Sequence, residues 1–167
     1  MRLARQSDVN ALGRGVGRRA GARLRRMVQI AFTPPARVLV VDDEPLIVAE
    51  LSDYFTRRGY LVSGATSTRD AERALAETPG FDVAVVDVRM PDEDGPTFID
   101  RVLARRTARE RPRVIVISGH TSAEDVLATR GGTFELVAKP LRLATLQARV
   151  AAAARERRDE ISRLVDQ

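Results

Sequence analysis

From Arg37 onward, short runs of Val, Ile and Leu alternate with stretches in which apolar residues recur every three or four positions. This alternation predicts an α/β fold on a parallel sheet. Five strands are expected, at 37–42 (RVLVVD), 60–64 (YLVSG), 82–87 (DVAVVD), 113–118 (RVIVIS) and 134–138 (FELVA). The first, third and fourth are almost unbroken apolar runs, as in strands covered by helices on both faces. The second is shorter and mixed, as at a sheet edge.

Helices fill the gaps. Pro45 suits a first helical turn, Ile47, Leu51, Tyr54 and Phe55 follow at helical spacing, and Gly59 stops the run. A second helix is expected over 67–77 and a third over 96–106, with Phe98, Ile99, Val102 and Leu103 on one face. A short fourth is expected over 122–130. The last begins after Pro140 and meets no breaker before residue 165. Beyond Ala154 it is expected to leave the domain, so that Ile161, Leu164 and Val165 need cover from a second copy or a partner protein.

A length of 167 residues suits one domain with tails: a basic arm at 1–35, a folded domain at 36–154 and an extension of the last helix at 155–167. No effector domain is expected after so short an extension. Residues 1–34 hold eight Arg against Asp8, so +7 of charge sits there and −2 on the remainder of a chain whose net charge is +5. The arm is expected to be disordered; its glycines follow no strand and no GK[ST] comes after them, which argues against a phosphate loop. The absence of cysteine excludes disulfides, thiolate zinc and a cysteine nucleophile, and the single His120 excludes a histidine metal cluster. No uncharged apolar run approaches the roughly 20 residues of a membrane-spanning helix, and Arg and Gly interrupt the amino terminus where a signal peptide would be apolar. A cytoplasmic protein with no membrane partner is expected.

The candidate chemistry lies where strands end. Asp42 and Asp43 follow the first strand and Asp87 closes the third, so a parallel sheet would project all three from its carboxyl edge, where such folds bind ligands. Three converging carboxylates repel and would take up protons unless a cation compensates. Mg²⁺, which prefers one or two carboxylates with waters and phosphate oxygens, suits the site better than Ca²⁺. Taken singly, each Asp is as readily a helix cap or turn residue. Ser118 and Gly119 end the fourth strand, a hydroxyl donor beside a small neighbour, and Lys139 and Pro140 end the fifth. Lys139 is the one Lys among 28 basic residues, which suggests a need for a compact point charge.

These motifs together resemble the receiver domain of bacterial two-component response regulators, over roughly 120 residues. VLVVDDEP (38–45) is similar to the family's acidic pair, DVRMPDEDG (87–95) to its phosphoacceptor loop, VISGH (116–120) to its hydroxyl-bearing strand and GTFELVAKP (132–140) to its lysine-proline ending. The resemblance implies a flavodoxin-like sheet of strand order 2-1-3-4-5, with Asp87 as phosphoacceptor. It implies a Mg²⁺ site of Asp43, Asp42 through water, Asp87 and the Arg89 carbonyl, phosphoryl contacts from Ser118 and Lys139, and a cis bond between Lys139 and Pro140. Its partners would be a histidine kinase or phosphotransfer protein and a downstream protein target. The apolar end of the last helix adds a homodimer through the fourth helix, fifth strand and last helix as one of two expectations, the other being a partner protein. The chain departs from the family at Leu136, where an aromatic switch residue is usual, and is about one residue short between Ser118 and Lys139. Phe134 is expected in the core and His120 as a residue lining the site. A single-domain response regulator is the leading expectation; a non-switching interaction module and a DNA-associated regulator using the arm are the competing ones, with no sequence-specific nucleic acid contact expected.

Overall fold

The computed structural model of the chain describes residues 34–78, 80–104, 106–119 and 134–165. The basic arm, the predicted helix at 122–130 and His120 lie outside the described residues.

In chain order the elements are β1 (Arg37–Val41), α1 (Pro45–Thr56), β2 (Leu61–Ala65), α2 (Thr68–Glu77), β3 (Val83–Asp87), α3 (Gly95–Ala104), β4 (Arg113–Ser118), β5 (Phe134–Ala138) and α4 (Leu143–Val165). All strand pairings are parallel and the order is β2-β1-β3-β4-β5, the flavodoxin-like sheet expected. β2 is the mixed strand at the edge, and its half-open burial fits that place.

Alternation along the strands sorts their side chains into two cores. Leu39 and Val41, Ala84 and Val86, and Val114 and Val116 meet Ala71 and Leu75 of α2 and Phe98, Ile99 and Val102 of α3. Their neighbours Val38 and Val40, Val83 and Val85, and Ile115 and Ile117 meet Leu51 and Phe55 of α1 and Leu146 and Val150 of α4. The three apolar strands are therefore the central ones. Phe134 and Leu136 are half-buried against the α2–α3 face.

Local chemistry sets the helix ends. Ser67 caps α2, accepting from the Asp70 amide at 3.1 Å while its hydroxyl donates to the Asp70 carboxylate at 2.9 Å. Beyond α1, Gly59 adopts φ +84°, a conformation that suits glycine. α3 ends at Ala104, short of the expected residue 106, and the Glu110 carboxylate accepts from both the amide and hydroxyl of Thr107 in the turn that follows, each at 2.9 Å.

The course of the last helix corrects the sequence expectation. α4 does run to Val165, but past Ala154 it stays on the domain, against the end of the sheet opposite the carboxyl edge. The Arg158 guanidinium reaches Asp82 with two contacts of 3.3 and 3.2 Å, and Asp82 also accepts the Arg37 amide at 2.9 Å. Glu160 stands 3.6 Å from Arg113 and 3.7 Å from Arg157, while Arg109 donates to the Leu164 carbonyl at 2.6 Å. Arg157 is only 2% exposed, and burial lowers its pKa against the opposing pull of Glu160 and Asp82. Ile161 and Leu164 are half-covered by their own domain, and only Val165 of the three stands fully exposed. The need for a second copy to cover Ile161 and Leu164 therefore falls away.

Candidate functional site

Four strand ends and one loop build the site. At the end of β1 the chain turns into α1, and buried Asp42 serves that turn: its Oδ1 accepts the Glu44 amide at 2.9 Å. Its Oδ2 is buried and accepts no hydrogen bond. Asp43, the next residue, faces solvent.

Asp87, buried at the end of β3, has both oxygens engaged. Oδ2 accepts the Arg89 amide at 3.0 Å, and Oδ1 pairs with the Lys139 ammonium at 2.9 Å. Lys139 follows β5, and its amide donates to the Ser118 carbonyl at 2.7 Å, so strand pairing itself brings Ser118 and Lys139 together. Ser118 is buried, the bond from Lys139 to Pro140 is cis, and a Cβ on Gly119 would lie 4.0 Å from the Lys139 stem.

The ammonium of Lys139 also stands 3.7 Å from Asp42 Oδ2. Burial works against its charge, but the hydrogen bond and field of Asp87, with Asp42 and Glu44 adding to them, raise its pKa. Burial likewise raises the pKa of Asp42, opposed by the Glu44 amide and Lys139 and reinforced by the neighbouring carboxylates Asp87 and Asp43. Lys139 is the cation that stands against Asp42 and Asp87 here. Among the described residues no three acidic or histidine side chains are gathered into a closed metal cage. Two carboxylates, one of them with an oxygen that accepts no hydrogen bond, fit Mg²⁺, which takes few protein ligands and fills its remaining positions with water.

The loop from Val88 to Asp94 is closed at its base by the Gly95 amide donating to the Val88 carbonyl at 2.9 Å. A Cβ on Gly95 would lie 2.3 Å from the Asp87 carbonyl oxygen, so only glycine lets α3 start this close to the site. Met90 plugs the loop into the core. Farther along, Asp92 Oδ2 accepts the Thr68 amide at 3.0 Å and the Thr68 hydroxyl at 2.7 Å, tying the loop to the start of α2. Glu93 receives a two-pronged contact from Arg101 of α3, 3.1 Å from Nε and 2.6 Å from Nη2, and the remaining Arg101 nitrogen pairs with Glu72 of α2.

Asp42, Asp87, Ser118 and Lys139 thus meet at one edge, with Asp43 and Arg89 at its rim. Sequence reading missed Thr68, Glu72, Asp92, Glu93 and Arg101, which hold the loop from outside; as charges on amphipathic helices and in a polar loop they look like any solvated surface.

Residues 38–151 match the response regulator receiver domain. The chain belongs to that family. It is similar to the TorCAD operon transcriptional regulatory protein TorR of Escherichia coli K12, with 33% identity over 119 residues, 70% of this chain and 49% of that protein. It is also similar to the transcriptional regulatory protein KdpE of Mycobacterium tuberculosis, at 39% identity over 119 residues, 71% of this chain and 50% of that one. The receiver chain thus spans about half the length of the curated relatives it matches. A solved response regulator receiver domain from Clostridium thermocellum superposes with a TM-score of 0.66 at 26% identity, covering 74% of this chain and 97% of that one. Among the described residues of this receiver, no helix is long and apolar enough to cross a membrane.

Proposed function

We propose that this receiver is a cytoplasmic response-regulator switch that takes a phosphoryl group on Asp87 from the phosphohistidine of a histidine kinase or phosphotransfer protein and signals by protein contact. The observation that carries the reading is the pairing of buried Asp87 with Lys139 at 2.9 Å, beside the buried Asp42 oxygen that accepts no hydrogen bond. An Asp87 oxygen attacks phosphorus in line with the departing imidazole; the O–P bond forms as the P–N bond breaks, and the imidazole leaves with its electron pair. Asp42, Asp43, Asp87 and the Arg89 carbonyl would hold Mg²⁺, whose charge offsets that of the transferring group. Ser118 donates to one phosphoryl oxygen, and Lys139 gives up its contact with Asp87 to neutralise another. The chain catalyses only its own phosphorylation and dephosphorylation.

Incubation with acetyl phosphate and Mg²⁺, read by phosphate-affinity electrophoresis, tests this. The parent chain is expected to shift, Asp87→Asn to stay unshifted, and chelation of the metal to abolish the shift. Uptake by Asp87→Asn at the parent level would refute the assignment.

A further inference from the structure

We propose that Arg101 is a positioning residue for the metal and phosphoryl site, holding the loop after Asp87 through Glu93; the inference rests on the function proposed above. Arg101 touches neither Asp87 nor Asp42. It spends all three guanidinium nitrogens on two carboxylates from different elements: Nε and Nη2 on Glu93 of the loop, and Nη1 on Glu72 of α2. Together with Asp92 on Thr68, this fixes the outer half of a loop whose inner half carries Arg89, and the Arg89 amide in turn holds Asp87 Oδ2 at 3.0 Å.

Two arguments separate positioning from stability and from charge. Arg101 and Glu93 are partly open to solvent, at 32% and 22% side-chain exposure, and ion pairs of that kind add little to stability. Mg²⁺, by contrast, demands near-ideal octahedral geometry, so a small displacement of the loop matters to it, whereas Ca²⁺ accepts irregular shells. Charge alone predicts the opposite sign: removing a positive side chain near an acidic pocket should strengthen cation binding. Lysine keeps the charge but lacks the planar fork that meets Glu93 and Glu72 together.

The test is calorimetric titration of the full chain with Mg²⁺ alone and with Ca²⁺ alone, on the parent, Arg101→Lys and Arg101→Gln, together with hydrogen exchange of the 88–94 amides. Both variants are expected to bind Mg²⁺ about tenfold more weakly, at the low end for outer-shell partners of a metal. Ca²⁺ affinity should change little, exchange over 88–94 should quicken, and the thermal midpoint should stay within a few degrees. Mg²⁺ binding equal to or tighter than the parent's in both variants, or unchanged exchange, overturns the proposal. An Arg101→Lys chain that loses its fold assigns Arg101 to stability and overturns it as well. A parent chain that binds no Mg²⁺ and takes up no phosphoryl group overturns the underlying functional reading, and the positioning role with it.

Discussion

Asp92 shows how a single carboxylate can couple the edge of the site to the fold. The Thr68 hydroxyl lowers its pKa most, burial opposes this, and the Thr68 amide adds to the lowering, so the ionised form is favoured in the folded chain. A depressed folded pKa contributes stability that is complete above the carboxyl's unfolded value of 3.8 and is lost as pH falls through the lower folded value. Asp92 is exposed, so Asp92→Ala should cost only about 0.5–1 kcal/mol at neutral pH, as for a lost helix cap. In urea titrations the gap between parent and variant should be widest at pH 7 and close once acid has protonated the parent's carboxylate. A gap independent of pH would remove the charge from this account.

At the scale of elements, Asp82 has the largest predicted effect on the fold. Its carboxylate joins the first residue of β1 to Arg158 in the second half of α4, while its backbone bonds to both Arg37 and Arg113. Asp82→Ala removes the acceptor of the Arg37 amide and the counter-charge of the Arg158 guanidinium together, at a cost of about 2 kcal/mol, or roughly 5–10 °C in thermal midpoint. Arg158→Ala, whose side chain is partly exposed, should cost about 1 kcal/mol. Equal midpoints for the two variants would mean that the α4 contact accounts for all of the effect of Asp82. None of this is visible in the sequence. The six charged residues at 155–160 read as a solvated face, yet Arg157 among them is buried, with Asp82 at the sheet edge and Glu160 on its own helix as counter-charges. The strands were legible for the reverse reason: β-branched runs buried on both faces leave little choice of structure. Asp42, Asp87, Ser118 and Lys139 were legible because each interrupts such a run. The Arg101 clamp was not, because its partners meet only after α2, α3 and the loop have packed.

For the molecule as a whole, charge is divided unevenly: +7 lies on the first 34 residues and −2 on the rest. Deleting 1–34 removes +7 of charge and should shift the thermal midpoint by only about a degree or two, with phosphoryl uptake retained. A large loss of either in differential scanning fluorimetry and acetyl phosphate labelling would show that the arm matters to the domain. The near-total choice of Arg over Lys has another consequence. Apart from the α-amino group, Lys139 is the sole aliphatic amine in the sequence, and it sits against Asp87. An amine-selective acylating reagent therefore marks one side chain, inside the pocket itself. Its reaction rate, followed by intact-mass spectrometry, should be slow while Asp87 keeps the amine protonated, faster in Asp87→Asn, and altered again when the carboxylate carries a phosphoryl group. A chain with a single lysine thus carries one side chain whose amine reactivity reports the charge state of its own pocket, with no residue engineered in.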